Sequence, residues 1–252
     1  MADGLKQQLA NTQKELEALK AEYNEFVYIV SHDLKAPLRQ IEGFVEILSD
    51  KHTDDFDDKS KRHLDMISNG SNKASKLLDA LVGYSRLNTQ DTPFELIDFT
   101  ALIAEATLQL LPLIESHNVK ITLPDLLKTP NSIHIMGDKN QLTQLFYHVI
   151  HNAITYRNQG APSEVVVGIE DKKDYWQLSI NDNGIGIREN LTEKIFKVLR
   201  RGVSDKVYPG LGMGLALSSK ILQRHNGNIW VESEKNIGST FYFTLPKALN
   251  NG

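Results

Sequence analysis

The chain has 252 residues, 40% hydrophobic and 24% charged, with a formal net charge of −4 and no cysteine. That is enough apolar material for one large core or two modest ones, and it excludes disulfides, thiolate metal sites and global disorder. The acidic balance argues against a nucleic-acid partner, and no apolar run approaches the roughly 20 residues needed to cross a bilayer, so no membrane segment is expected.

The first predicted element is a long helix. Leu5, Leu9, Thr12, Leu16, Leu19, Tyr23, Phe26 and Val30 alternate in steps of four and three, the seam of a coiled coil. Phe26, Val30, Leu34 and Leu38 are then all four apart, a stutter that brackets His32. The stripe continues through Ile41, Val45 and Leu48, and Pro37 within it is expected to bend or loosen the helix. Ser49 to Asp58 reads as a turn. A second helix follows, with Leu64, Ile67, Ser71, Ala74, Leu78, Leu81 and Ser85 at heptad spacing. One such hairpin buries both stripes poorly, whereas two form a four-helix bundle, so a homodimer through residues 1–87 is expected.

Residues 88–93 read as a linker, after which helices and strands mix. Asp98 can cap a helix running to about His117. Val119–Leu123 and Ile133–Met136 read as strands, and Gly137 and Asp138 open a helix to about Arg157. Val165–Ile169 and Trp176–Asn181 are strands around a turn. A short helix near Ile195, a helix near Leu215–His225 and the strands Asn228–Glu234 and Ser239–Leu245 complete the chain. The fold class is α+β, a helical hairpin followed by a mixed sheet with helices on one face.

Four places carry candidate chemistry. Asp182-Asn183-Gly184-Ile185-Gly186 follows a strand directly; its glycines admit close backbone approach, and Asp182 can accept from an exocyclic amine such as that of adenine. The same letters also make an ordinary turn. Gly210, Gly212 and Gly214 precede a helix whose first N–H groups suit phosphate, and they equally suit a mobile lid. Asn152 offers a hard oxygen to Mg²⁺, with Tyr156 one turn later and Arg157 beside it, or it is simply a solvated asparagine. His32 lies between Ser31 and Asp33, where a carboxylate can hold one ring N–H and leave the other nitrogen to attack phosphorus. The alternative is a surface histidine, the reading given outright to His52, His63 and His117. No HExxH, GxSxG or zinc spacing is present.

In order along the chain these pieces resemble the two-component sensor histidine kinases. Ser31-His32-Asp33-Leu34-Lys35-Ala36-Pro37-Leu38-Arg39 is similar to their phosphoacceptor box, in a form like that of the phytochrome-like branch. Gln144 through Asn152 to Arg157 resembles their N box, and Asp182–Gly186 and Gly210–Gly214 resemble their glycine boxes. Ile195-Phe196 with Arg201 resembles the F box, and Gly238-Ser239-Thr240-Phe241 the box that closes the last strands. The resemblance implies a coiled-coil helix over 1–25, a dimerisation and phosphotransfer domain over 26–87, and an ATP-binding α/β sandwich of the GHKL type over 94–248. It implies that His32 accepts the phosphoryl group with Asp33 as its acid/base partner. ATP would be bound by Asn152 with Mg²⁺, Tyr156 and Arg157 near the phosphates, Asp182, Gly184 and Gly186 around adenine, and Arg201 near the γ-phosphate. Gly210, Gly212 and Gly214 would hinge a lid, and Thr240 would line the adenine side. The implied partner is a response regulator that takes the group onto an aspartate; this fragment is expected in the cytoplasm, with membrane anchoring of a full-length protein left open, and the upstream sensor domain is expected to be absent from this chain.

The sequence departs from that pattern at five places. His148 stands where many members carry a first Asn, Thr155 replaces a common Lys, Leu211 a common Thr and Asn226 a common Gly. Ala36 occupies the position one turn after His32 where phosphatase-competent members place Thr or Asn, so weak phosphatase activity is expected. His148 and Thr155 keep open a catalytically impaired, dimeric ATP-binding scaffold as the alternative. An ATPase of the chaperone or mismatch-repair kind would lack the histidine-bearing hairpin.

Overall fold

The computed structural model describes residues 2–51, 56–87, 92–125, 133–202, 208 and 210–247. The chain divides into two compact units, Met1–Gln90 and Asp91–Gly252. His52 and positions 88–91 of the expected linker lie outside the described residues.

The first unit is a helical hairpin. Helix α1, Ala2–Lys51, continues through Pro37 without interruption, and α2, Asp58–Arg86, starts under Asp57, whose carboxylate accepts from the Ser60 N–H at 2.7 Å. The expected turn is therefore shorter than ten residues. Proline in a helix interior costs about 3 kcal/mol, and contacts to α2 flank it on both sides. Lys35 pairs with Asp79, and the Ser71 hydroxyl donates to the Leu38 carbonyl at 3.0 Å. Nearer the open end, Ser85 Oγ donates to Asn24 Oδ1, and the Arg86 guanidinium lies 4.6 Å from the centre of the Tyr28 ring. These contacts fix an antiparallel register but bury little: Val27 and Val45 are the apolar α1 side chains that become buried. Leu34, Ile41, Phe44 and Leu48 on α1, and Met66 and Ile67 on α2, stay exposed.

The second unit is an α/β layer. Strands β2 (Lys120–Thr122), β4 (Glu164–Asp171), β5 (Tyr175–Asp182), β7 (Gly238–Pro246) and β6 (Ile229–Glu234) form one sheet in that order. β2 and β4 are parallel and the other pairs antiparallel. Alternation puts Val165, Val167, Leu178, Ile180, Phe241, Phe243 and Leu245 on one buried face. Helices α5 (Lys139–Thr155) and α6 (Gly214–Arg224) cover it, with α3 (Phe99–Gln109) against α5. Phe146 centres the core, edge-on to Phe99 at 5.0 Å and to Phe243 at 5.3 Å.

Three expectations on element boundaries change. Asp98 caps α3 by accepting from the Thr100 N–H, but that helix ends at Gln109, and a separate α4, Leu111–Ser116, follows with Pro112 in its first turn. Proline lacks the N–H to continue α3 and suits a helix start. A strand that the sequence reading omits, β1 (Glu95–Asp98), pairs with β3 (His134–Gly137). α5 opens under the Asp138 cap as expected and ends two residues early, at Thr155.

Candidate functional site

The end of β5 delivers Asp182 to the buried face, in line with Leu178 and Ile180 and only 6% exposed. Its Oδ1 accepts from the Gly184 N–H at 2.9 Å. Burial raises its pKa to about 6, opposed by the backbone N–H groups of Gly184 and Ser239. A buried carboxylate that stays mostly ionised at pH 7 can accept from a ligand amine.

The loop after Asp182 is held against two other elements. The Ile185 N–H donates to the Tyr156 carbonyl at 2.9 Å, and the Asn236 N–H donates to the Ile185 carbonyl at 2.8 Å. A Cβ at Gly184 would lie 2.4 Å from the Tyr156 carbonyl oxygen. At Gly186, where φ is +63°, it would lie 2.0 Å from the Glu234 carbonyl oxygen. Both positions therefore require glycine on steric grounds. Asp182, Gly184, Gly186 and Tyr156 thus form one cluster.

A second cluster forms where α5 ends. Tyr156 closes α5, its N–H donating to the Asn152 carbonyl, so Asn152 lies one turn back along the same helix. The Tyr156 ring packs 5.4 Å from that of Tyr208, and the Tyr208 hydroxyl donates to the Arg157 carbonyl at 3.3 Å. Arg201 donates to the Tyr208 carbonyl and passes beside Gly210 and Gly212. Gly214 begins α6, whose first turn has no side-chain cap, and uncapped N–H groups at a helix start suit an anion.

His148, one turn before Asn152, lies against Gly214; a Cβ on that glycine would be 3.2 Å from His148 Nδ1. Burial, and then the charge of His151, lowers the His148 pKa to about 4. His148 Nε2 is buried without a hydrogen-bond partner. His151 is lowered by burial as well and lies 3.3 Å from Thr155 Oγ1. This stretch of α5 therefore carries two neutral imidazoles at pH 7.

Thr240 lies on the other face of the sheet from Asp182. It pairs with Asn181 in register, and Asn181 Nδ2 donates to Thr240 Oγ1 at 2.8 Å on the open face of the sheet. Its neighbour Ser239 is the register partner of Asp182, is 5% exposed, and shares the buried face. The alternation of β7 puts Ser239 in phase with Phe241 and Phe243, a signal that was available in the sequence. Tyr208 is the other unanticipated member, and its only sequence mark is an aromatic residue two positions before Gly210.

In the helical unit, His32 is exposed, and its Nδ1 lies 3.2 Å from Asp33 Oδ1. With the proton on Nδ1, that contact leaves the Nε2 lone pair outward. Ala36, one turn on, is exposed too.

Among the described residues no three His, Cys, Asp or Glu side chains converge as a metal cage.

Two family models match. His Kinase A (phospho-acceptor) domain covers residues 22–90, and histidine kinase-, DNA gyrase B-, and HSP90-like ATPase covers 137–249. Cyanobacterial phytochrome A of Nostoc sp. is 36% identical over 239 residues, 95% of this chain and 30% of that protein. The chain thus spans about a third of the length of the phytochromes it matches. The structure of full-length ShkA in complex with AMPPNP aligns with a TM-score of 0.67 at 19% identity, over 89% of this chain and 46% of that one. The histidine kinase ThkA, in complex with the response regulator protein TrrA, aligns with a TM-score of 0.61 at 22% identity, over 90% of this chain and 63% of that one. At these identities the two structures establish the fold.

Proposed function

Since the chain belongs to the two-component sensor histidine kinases, with a phospho-acceptor domain followed by an ATPase domain, we propose that it binds ATP with Mg²⁺, autophosphorylates on His32, and passes the phosphoryl group to an aspartate of a response regulator. The observation that carries the reading is the buried Asp182 beneath a loop whose glycines leave no room for side chains. Such a recess fits a flat base that presents an amine.

Each residue has a task in this reading. Asp182 and the Gly184–Gly186 loop take the adenine. Asn152 would hold Mg²⁺, which would supply charge neutralisation on the phosphates, while Tyr156, Arg157 and Arg201 line the phosphate side. His32 Nε2 attacks the γ-phosphorus; the N–P bond forms as the bond to the β–γ bridging oxygen breaks, and ADP leaves with that electron pair. Asp33 keeps the Nδ1 proton and stabilises the imidazolium that results. Positioning and charge neutralisation supply most of the catalysis in such transfers.

The apolar stripe left on the hairpin supports a homodimeric four-helix bundle. No described helix is long and apolar enough to cross a membrane. ThkA, which shares the fold, engages a response regulator, and this supports the same class of partner here. Ala36 offers no hydroxyl or amide to orient water, which supports weak phosphatase activity. Rapid loss of phosphate from a purified phosphorylated regulator in the presence of this chain and ADP would refute that last point.

The deciding experiment incubates wild type and His32→Ala with γ-labelled ATP and Mg²⁺. Acid-labile, base-stable label on wild type alone is expected. If neither protein takes label while both bind nucleotide, the chain is a signalling scaffold, the reading favoured by the buried imidazole of His148.

A further inference from the structure

Tyr208 belongs to none of the motifs, yet it is 9% exposed and touches three groups on the phosphate side. Its ring packs on Tyr156, its hydroxyl holds the Arg157 carbonyl, and its own carbonyl accepts from Arg201. Tyr156 is itself fixed from the other side. Its N–H bonds to Asn152, its carbonyl accepts from Ile185, and Gly184 abuts that carbonyl. The stem of Arg201 is confined as well, since a Cβ on Gly212 would fall 2.8 Å from Arg201 Cγ.

We propose that Tyr208 is the positioning residue for Arg201, tying that guanidinium to the Tyr156–Arg157 corner that also supports the base-side loop. The proposal rests on the reading above, in which Arg201 meets the terminal phosphate. An arginine free to rotate loses side-chain entropy when it grips an anion, and a fixed one has already lost it. A guanidinium anchored at the third phosphate distinguishes ATP from ADP, because only ATP presents that charge. One support for both the adenine loop and the arginine makes the two ends of the nucleotide site rigid together.

The test measures Mg-ATP and Mg-ADP affinity by calorimetry on the full chain, in a His32→Ala background that prevents transfer. Tyr208→Ala keeps the carbonyl that Arg201 uses but frees it from the Tyr156–Arg157 corner, and is expected to weaken ATP binding about tenfold more than ADP binding, the loss of one charge-assisted contact. Tyr208→Phe keeps the ring and loses the hydroxyl, and should fall between. Adding Arg201→Ala to Tyr208→Ala should cost nothing beyond Arg201→Ala alone. Equal weakening of both nucleotides by Tyr208→Ala, an unchanged preference for ATP, or additive losses in the double variant would overturn the proposal. If the background protein binds neither nucleotide, the kinase reading fails, and this inference with it.

Discussion

Asp182 and Ser239 face one another across β5 and β7, register partners on the buried side of the sheet, 6% and 5% exposed. The Ser239 N–H helps to hold the carboxylate, and Ser239 Oγ lies 3.0 Å from Ser233 Oγ. A base resting on Asp182 would meet Ser239, whereas Thr240 would lie behind the sheet. Ser239→Ala should therefore weaken ATP binding about fivefold, the worth of one hydrogen bond, and Thr240→Ala should leave it unchanged. Titration with a fluorescent nucleotide would show the difference, and the reverse order would restore Thr240 to the site.

Asp182 itself sets ligand binding against stability. Its folded pKa of about 6 lies above the ordinary 3.8, so the folded chain holds this proton more tightly than the unfolded one. The stability it contributes is fully present below pH 4 and is lost as pH rises to about 6, a difference of about 3 kcal/mol. Asp182→Asn should thus be nearly neutral in urea unfolding at pH 4 and stabilising at pH 7. The same variant should lose ATP affinity by roughly 10- to 100-fold.

His148 acts with the opposite sign. Its folded pKa of about 4 lies below the ordinary 6.5, so the unfolded chain takes up the proton first. The associated stability is present above pH 6.5 and is lost as pH falls toward 4, again about 3 kcal/mol. His148→Asn should flatten that acid limb in urea unfolding followed from pH 7 to pH 4. It would also return the side chain common in this family, and faster labelling by ATP would mark His148 as a brake on catalysis. An acid limb as steep as that of wild type would show that His148 is not the group responsible.

Phe44 is 67% exposed on α1, along a stretch where Leu34, Ile41 and Leu48 are exposed as well. Phe44→Glu should convert a dimer to a monomer at micromolar concentration by light scattering while leaving helix content near that of wild type. A variant that remains dimeric would move the interface elsewhere on the hairpin.

The hairpin and most strands were legible because their apolar periods, seven and two, are strong, and because Asp98 and Asp138 announce their helices. β1 was not, since four residues with one buried side chain carry no period. The helix break at Leu110 was marked by Pro112, but the apolar residues on both sides suggested continuity. At the candidate site, the glycines and Asp182 stand out in the sequence by their spacing. Thr240 differs from the buried Ser239 by one position, which in a strand means the opposite face. Tyr208 gave no pattern, because its role comes from contacts to Tyr156, Arg157 and Arg201, and only the fold brings these together.

Helix α1 runs fifty residues without a break, about 75 Å at 1.5 Å per residue. Along such a rod the bearing of every side chain is set by those before it, each step turning the next by about 100°. The clock position of His32 is therefore inherited from whatever fixes the helix upstream. A quarter-turn imposed near Leu5 would carry the imidazole through the same angle, so the rod can transmit rotation without any change in its length.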